Sequence, residues 1–459
     1  MVFLGGIAYY EIYKKRVLDK ASTTGIELAF EPGYDPALEV AKNYHTRTSS
    51  PEELTFDDPA LIPLEENLKR KEQDLIDRIV KGEEPGHYYV LLGAKGSGKG
   101  TMILDSMSAI QADGIAMCDA HPDLEVFRLR LGRALNYEYN EDSQSGLFQR
   151  RDPREGSGPA LDIERALNKL EKVALRVVKR RQKPLVLIIN NVHYFQNDEE
   201  GRNMLLQLQQ RAEAWAASGL MTMVFSTDDF WPFYAMRKFA SRMHVVSISD
   251  LNAHEAYHAC NRMRINTKNK IEQSDHIKEA VSIVGGRLSY LNKVATSTNV
   301  LEMANSLLEM EKAWLLSQIS LIQDCDDDVM DEQKWSSCSW LLLQEFVKMR
   351  QQQEREREEE MMKLGKDELP ELDMPSIPYW KCRQIMTRAD FLEELDRVNI
   401  ISIDVNHNVR PDSMLILLAA RQVVEQEDFE EVLNSVRNRI DEIESLHRTR
   451  ELTVRSTFA

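Results

Sequence analysis

The fold of this 459-residue chain is decided by the stretch Tyr88-Tyr-Val-Leu-Leu-Gly-Ala-Lys-Gly-Ser-Gly-Lys-Gly-Thr101. An apolar strand runs into a glycine-rich loop, and a helix is predicted to follow. Such a loop points consecutive backbone N–H groups at one anion, and the helix N-terminus adds the positive end of its dipole. The ammonium of the last lysine then reaches the β- and γ-phosphates. The stretch predicts a nucleoside triphosphate site, with ATP as the expected ligand. Its phosphate-binding residues are Gly93, Ala94, Lys95, Gly96, Ser97, Gly98, Lys99, Gly100 and Thr101.

The hydroxyl residue of this loop stands one position later than in most loops of its kind. A Ser or Thr directly after the lysine normally ligates Mg²⁺, but Gly100 holds that position and Thr101 follows it. Nucleoside monophosphate kinases share this order, so a phosphotransferase is one alternative. It would need a second, arginine-lined acceptor site, for which Arg150, Arg151 and Arg154 are the candidates.

A second apolar strand, Pro184-Leu-Val-Leu-Ile-Ile-Asn-Asn191, ends in two amides. By position this is the strand whose tip normally carries an Asp for Mg²⁺ and often an acid that activates water. An amide oxygen can bond to metal-bound water, but it has no charge and takes no proton near neutral pH. Asn190 and Asn191 therefore predict slow or absent hydrolysis. Magnesium is expected without its usual ligands, nearest to Thr101 and Asn190. The neighbouring acids Asp198, Glu199 and Glu200 could substitute for the missing acids, but the favoured prediction is that they cap the next helix.

Short apolar strands alternate with longer helical stretches between residues 88 and 248. This pattern predicts an α/β fold in which a parallel sheet is covered on both faces, a three-layer P-loop nucleotide-binding core. The predicted strands are Tyr88–Leu92, Gly114–Cys118, Leu185–Ile189, Met221–Phe225 and His244–Ile248. The helices between them are predicted near 99–111, 122–136, 159–182, 199–218 and 229–240.

Three further residues are candidates for the site. Thr227 ends a strand where a polar residue commonly senses the γ-phosphate, although a helix N-cap explains it equally well. Arg242 precedes the last strand and could approach phosphate in the same or a neighbouring subunit; otherwise it is a surface arginine. Arg287 follows Gly285-Gly286 and could reach the nucleotide from a helical lid.

The rest of the chain predicts a lid and a second globular part. Residues 251–322 read as helices only, with Gly285-Gly286 at the start of the last one. Near the C-terminus come a helix (Thr387–Val398), a strand (Ile400–Asp404), an Asn-rich turn, Val409-Arg410 and another helix, which is the layout of a winged helix. The predicted domains are an arm (1–60), the nucleotide-binding domain (61–250), the lid (251–322), an acidic linker with a charged helix from about Ser336 to Leu364 (323–370), the winged helix (371–425), and a C-terminal helix and tail (426–459).

The amino-acid composition limits the partners and the cellular compartment that can be expected for the protein. The net charge of −17 argues against a protein that coats nucleic acid. Five scattered cysteines indicate free thiols in a reducing compartment, which makes an intracellular, by default cytoplasmic, location the expectation. The apolar residues 1–10, followed by Lys14-Lys15-Arg16, are too few to cross a bilayer, which needs about 20. They fit an ordinary start or the end of a membrane anchor, so a mitochondrial or anchored protein is the alternative.

In this order of motifs, residues 60–425 resemble the AAA+-like P-loop ATPases. The branch in question contains the STAND and archaeal-type ATPases and the replication initiators. More narrowly, the chain is similar to fungal AAA-type proteins with a C-terminal winged helix. The resemblance implies that the loop from Gly93 to Thr101 holds phosphates. It places Asn190 and Asn191 at the metal and water-activating positions, Thr227 at sensor 1, and Arg287 near sensor 2.

The expected function is an ATP-binding switch or scaffold, and an active ATPase remodeller is the alternative. The winged helix and charged helices are expected to bind a protein partner. The segment from Glu371 to Arg421 contains eight acidic and six basic residues, so nucleic acid is less favoured as its partner. Assembly with further copies of the chain is left open.

Overall fold

The computed structural model describes residues 23–38, 70–139, 158–268, 273–364 and 372–457. The predicted acceptor-site arginines Arg150, Arg151 and Arg154, and the apolar residues 1–10, lie outside them. The chain divides into two compact units. The first comprises Met1–Gly93 and Gly98–Ile248, and the second comprises Ala94–Ser97 and Ser249–Ala459.

A five-stranded parallel sheet forms the centre of the described part of the first unit. Its strands are β1 (Tyr88–Gly93), β2 (Ile115–Asp119), β3 (Leu185–Asn190), β4 (Met221–Thr227) and β5 (Met243–Ile248). They lie in the order β2-β3-β4-β1-β5, and every neighbouring pair is parallel. All five predicted strands are confirmed. Strands that follow one another in the sequence are separated by long segments. This follows from parallel pairing, since the chain must cross back over the sheet, usually through a helix, before the next parallel strand begins.

Helices cover both faces of this sheet. They are α1 (Gln73–Val80), α2 (Lys99–Ala109), α3 (Leu124–Ala134), α4 (Pro159–Arg181), α5 (Glu199–Ser218) and α6 (Trp231–Arg237). Alternate residues of β1 enter two separate apolar cores. Tyr88 and Val90 lie in one, and Tyr89 and Leu91 in the other. Strands buried on both faces read as continuous apolar runs, and the predicted three-layer α/β core is confirmed.

The predicted cap of α5 is also confirmed. The Asp198 side chain accepts a hydrogen bond from the backbone N–H of Gly201 at 2.7 Å. Glu199 and Glu200 follow in the first turn, where their charge favours the helix dipole. These acids therefore stabilise the start of α5.

Four helices open the second unit: α7 (Ala253–Lys268), α8 (Ser274–Val284), α9 (Leu288–Thr296) and α10 (Val300–Gln318). The all-helical lid is as predicted, but the place of Gly285-Gly286 was wrong, since it precedes the third helix and not the last. A new helix begins at Val300 because the Asn299 side chain accepts hydrogen bonds from the backbone N–H groups of Leu301 and Glu302.

The predicted winged-helix layout is confirmed. After the long helix α11 (Met330–Leu364) come β6 (Ile377–Pro378), α12 (Tyr379–Met386), α13 (Ala389–Arg397), β7 (Ile401–Ile403), β8 (Asn408–Pro411) and α14 (Met414–Val424). The antiparallel order is β6-β8-β7, so a short strand that was not predicted completes the sheet. Its Pro378 sits on an edge, where a missing N–H is tolerated.

The charged helices pack against this winged helix. The last helix, α15 (Phe429–Thr457), contacts α11, and α11 also contacts α12 and α14. Trp340 of α11 and Phe429 of α15 meet with ring centroids 5.3 Å apart. Each charged helix thus has an apolar face and a solvated face. The six domain boundaries remain predictions.

All five cysteines are free, as predicted, and Cys118, Cys260, Cys325 and Cys382 are buried. Burial raises the pKa of the Cys260 thiol to about 11 and that of Cys382 to about 12. Among the described helices, none combines the length and the apolar character needed to cross a bilayer.

Candidate nucleotide site

The phosphate loop has the backbone that an anion site requires. Gly98 precedes α2 with φ at +100°, in the left-handed region that favours glycine. No side chain caps the start of α2, and its first turn contains no acidic residue. The first N–H groups of a helix have no intrahelical partner. They are therefore suited to a phosphate, and the loop fits the polyphosphate tail that its sequence predicts.

Lys99 is held in place at the start of α2. Its side chain is 5% exposed, and its Nζ donates to the Gly93 carbonyl oxygen at 2.6 Å. The same Nζ lies 2.7 Å from Asp228 Oδ1, in an ion pair with a carboxylate that is 16% exposed. The Lys99 ammonium is thus desolvated and already paired with an anion.

The partner of Lys99 follows the predicted sensor residue. The Asp228 backbone N–H donates to His193 Nδ1 at 3.2 Å, and its Oδ2 lies 3.9 Å from His193 Nε2. Thr227 is fully buried, and its hydroxyl donates to the Asp229 carbonyl oxygen at 2.9 Å. Asp228, which was not selected as a site residue, therefore carries the charged contact, while the Thr227 hydroxyl stabilises the turn after β4. The sequence signal that could have identified Asp228 was its position, since Thr227 ends β4 and Asp228 follows it directly.

The two asparagines stand at the carboxyl end of β3, as predicted. The Asn190 Nδ2 donates to Asp119 Oδ1 at 2.8 Å. Asp119 ends β2 and is the register partner of Asn190. Asn191 follows with φ at +56° and begins the 3₁₀ turn Val192–Phe195. Asparagine tolerates this left-handed conformation better than most residues.

Asp119 was not predicted as a site residue, although the sequence marks it in the same way as Asn190. A polar residue ends an apolar strand there, as Asn190 does. The loop hydroxyl Thr101 is exposed in the first turn of α2. The structure thus offers a hydroxyl, an amide and the Asp119 carboxylate as oxygen groups, the kind that Mg²⁺ prefers.

Comparisons with known proteins agree with this geometry. The AAA ATPase domain family matches residues 68–223. The family described as "Fungal AAA protein, C-terminal winged helix domain" matches residues 316–444. Two separate stretches of the chain thus match an AAA ATPase domain and a fungal AAA-type winged helix. The first of these matches supports nucleotide binding by residues 68–223.

Two of the solved structures that are similar to this chain illustrate the likeness. A Walker-type ATPase of Pyrococcus abyssi has a TM-score of 0.47 and 13% identity, covering 77% of this chain and 96% of its own. The Cdc6p protein of Pyrobaculum aerophilum has a TM-score of 0.36 and 12% identity, covering 80% and 97%. A comparison with curated protein sequences found no match.

Arg242 does not join the other site residues of its own AAA domain. It is exposed and precedes the amino end of β5, whereas the phosphate loop follows the carboxyl end of the parallel strand β1. Its backbone N–H donates to Glu213, and its side chain donates to the Gly86 carbonyl oxygen at 3.3 Å. A role for Arg242 at phosphate would therefore require another subunit, and it stays a prediction.

Arg287 lies in the second unit, with 2% of its surface exposed. Its Nε and Nη2 each donate to an oxygen of Asp250 at 3.1 Å. The guanidinium also donates to the carboxylate and the backbone carbonyl of Asp412. Burial alone would lower the pKa of Arg287, but the two carboxylates outweigh it and raise that pKa further.

The tip of the phosphate loop groups with this same second unit. The Gly96 carbonyl oxygen accepts from the backbone N–H of Ser289, at the start of α9, at 3.2 Å. A side chain at position 96 would collide with Ser289 and reach the Arg287 side chain. Gly96, Ser289, Arg287 and Asp412 thus form a continuous set of contacts. The sequence-based assignment of Arg287 to the nucleotide stays a prediction.

Proposed function

We propose that this chain is an ATP-dependent switch that hydrolyses ATP slowly or not at all. Its nucleotide state is passed through the second unit to a partner protein. The observation that carries the proposal is the end of β3, where two amides replace the acids that bind metal and activate water. Binding depends on the loop amides and on Lys99, which are present and suited to phosphate.

Weak hydrolysis follows from the chemistry of Asn191. An amide oxygen cannot take the proton of an attacking water near neutral pH. Loss of general-base assistance costs about 10²- to 10⁴-fold in rate. An ATP molecule on this chain would therefore persist, which suits a state that is held rather than a motor that turns over.

The switch acts first on Lys99. Asp228 neutralises this ammonium at 2.7 Å. A phosphate oxygen offers the same contact with more charge, so ATP binding releases Asp228 and the turn after β4 to which it belongs. Thr227, which bonds within that turn, would follow the change. This gives Thr227 its role as sensor.

The relay runs through the phosphate-loop tip. Gly96 contacts Ser289, and the neighbouring Arg287 holds Asp412, which lies directly before the Ser413 N-cap of α14. A shift of residues 94–97 on ATP binding would therefore be felt at the winged helix. That domain carries a near-neutral charge balance and is the expected surface for a protein partner.

The test is a paired measurement of ATP affinity and turnover, with and without Mg²⁺. We expect saturable binding with negligible phosphate release in the wild type, and a clear gain of release in the double variant Asn190→Asp plus Asn191→Glu. The matched control, Gln196→Glu plus Asn197→Asp, adds the same two charges outside the strand tip and should stay inactive.

Two results would replace the proposal. Rapid wild-type turnover would make the chain an active remodeller and would show that the asparagines do not limit hydrolysis. ADP formation that depends on added AMP would instead support a phosphotransferase.

A further inference from the structure

We propose that Asp119 and Asn190 act as one metal-binding pair, in which Asp119 supplies the charge that the strand tip lacks and orients the Asn190 amide toward Mg²⁺. This inference rests on the proposed ATP site and adds a residue to it. Asp119 lies on β2 and not on β3, so it is a positioning residue that acts through Asn190.

The sheet itself brings the two side chains together. Asp119 and Asn190 are register partners at the carboxyl ends of adjacent parallel strands. The backbone pairing continues past them, since the Ala120 N–H donates to the Asn190 carbonyl oxygen at 2.9 Å. Both strands are therefore fixed up to their last residues, and the 2.8 Å side-chain hydrogen bond is held by a rigid backbone.

The hydrogen bond decides which end of the amide is available. An asparagine has an oxygen that accepts and an NH₂ that donates, and the two have nearly the same shape. An ionised carboxylate can only accept, so the NH₂ must face Asp119. The Asn190 oxygen is then the end that remains for a cation. With a neutral partner in place of Asp119, either orientation would be allowed.

The negative charge of Asp119 also favours a cation beside Asn190. Mg²⁺ is usually bound through one or two carboxylates with several waters retained. Asn190 itself carries no charge. Asp119 is exposed and one hydrogen bond from Asn190. Its negative charge therefore polarises the amide and attracts the cation, as outer partners of metal ligands do elsewhere.

The measurement is the affinity for ATP in EDTA and in Mg²⁺, taken as a ratio for each variant of the full chain. Outer partners of a metal ligand typically change metal affinity about 10- to 100-fold. We therefore expect Asp119→Asn to reduce the gain in affinity that Mg²⁺ provides by about tenfold or more. The affinity in EDTA should stay within about twofold, because the loop amides and Lys99 are untouched. Electron paramagnetic resonance of Mn²⁺ with ADP gives a second readout that needs no turnover.

The reversed pair is the sharpest variant. In Asp119→Asn plus Asn190→Asp, the new amide donates to the new carboxylate, and the charge returns to the strand tip. This double variant should recover the Mg²⁺-dependent gain that Asp119→Asn loses. The control is Asp123→Asn, which removes an exposed charge nearby while an asparagine keeps capping α3.

The outcomes separate the two proposals. If Asp119→Asn leaves the Mg²⁺ dependence unchanged, or if the reversed pair does not recover it, the hydrogen bond is only a strand-end contact and this inference fails. If the wild type binds no ATP even in EDTA, the proposed ATP site itself is wrong.

Discussion

Lys99 and Arg287 are both nearly inaccessible cations, yet the carboxylates beside them differ in burial. Lys99 meets one carboxylate, Asp228, and one carbonyl oxygen, at the edge of the nucleotide sheet. Arg287 meets two carboxylates, Asp250 and Asp412, and a carbonyl oxygen, and Asp412 is only 7% exposed. Lys99 thus pairs with a partly exposed carboxylate, while Arg287 pairs with a buried one as well as with Asp250.

This difference separates an exchangeable contact from a structural one. A phosphate can replace Asp228 at Lys99, and the released carboxylate, at 16% exposure, can turn to water. If Arg287 left Asp412, a buried carboxylate would remain without compensation, which is strongly unfavourable. Lys99 is thus suited to exchange its carboxylate partner for a phosphate, whereas Arg287 is suited to stabilise the second unit.

The largest effect that tests this contrast concerns stability. Arg287→Ala should lower the free energy of unfolding by about 3 to 5 kcal/mol, because it leaves the buried Asp412 carboxylate without its partner. Urea unfolding of the full chain measures it. Arg397→Ala, which removes an exposed arginine paired with Glu394, should cost roughly 0 to 1 kcal/mol. Equal costs for the two variants would show that the Arg287 network is not structural.

A smaller effect is expected on ATP affinity. Lys99→Ala removes a charged donor to phosphate, worth about 1.5 to 3 kcal/mol, so affinity should fall roughly 10- to 150-fold. Titration calorimetry with ATP measures the change. Lys183→Ala truncates an exposed lysine of the same unit and should bind ATP as the wild type does. Unchanged binding in Lys99→Ala would refute the phosphate site.

The smallest effect distinguishes the two carboxylates. In the mostly buried Lys99–Asp228 pair, desolvation of both groups largely offsets their attraction. Removing the competitor in Asp228→Asn should therefore tighten ATP binding by only a few-fold. Asp412→Asn should leave ATP affinity unchanged and lower stability instead. Weaker ATP binding in Asp228→Asn would mean that Asp228 assists the nucleotide rather than competing with it.

The sheet of the first unit was predictable because its physics is local. A short continuous apolar run such as Leu185–Ile189 is typical of an interior strand. The glycine-rich loop before Lys99 is typical of a phosphate site. The helix N-cap at Asp198 was predictable for the same reason, since capping depends on residues close in sequence. The position of Gly285-Gly286 was misjudged because the Asn299 cap signal, which starts another helix, was overlooked.

The pairings of the site were not predictable to the same degree. Asp412 lies 125 residues beyond Arg287, and no local pattern links them. The ion pair of Lys99 with Asp228 likewise depends on how β4 and β1 are placed side by side. Asp119 is the exception, since a polar residue at the end of an apolar strand could have been recognised there.

The buried thiols have a practical consequence for such measurements. Maleimide dyes react with thiolates. Burial raises the pKa of the Cys260, Cys338 and Cys382 thiols, and Cys118 and Cys325 are shielded in the interior. A cysteine introduced at Met362, which is 85% exposed on α11, would therefore react far ahead of them. A fluorophore could then report on the charged helix in the otherwise native sequence.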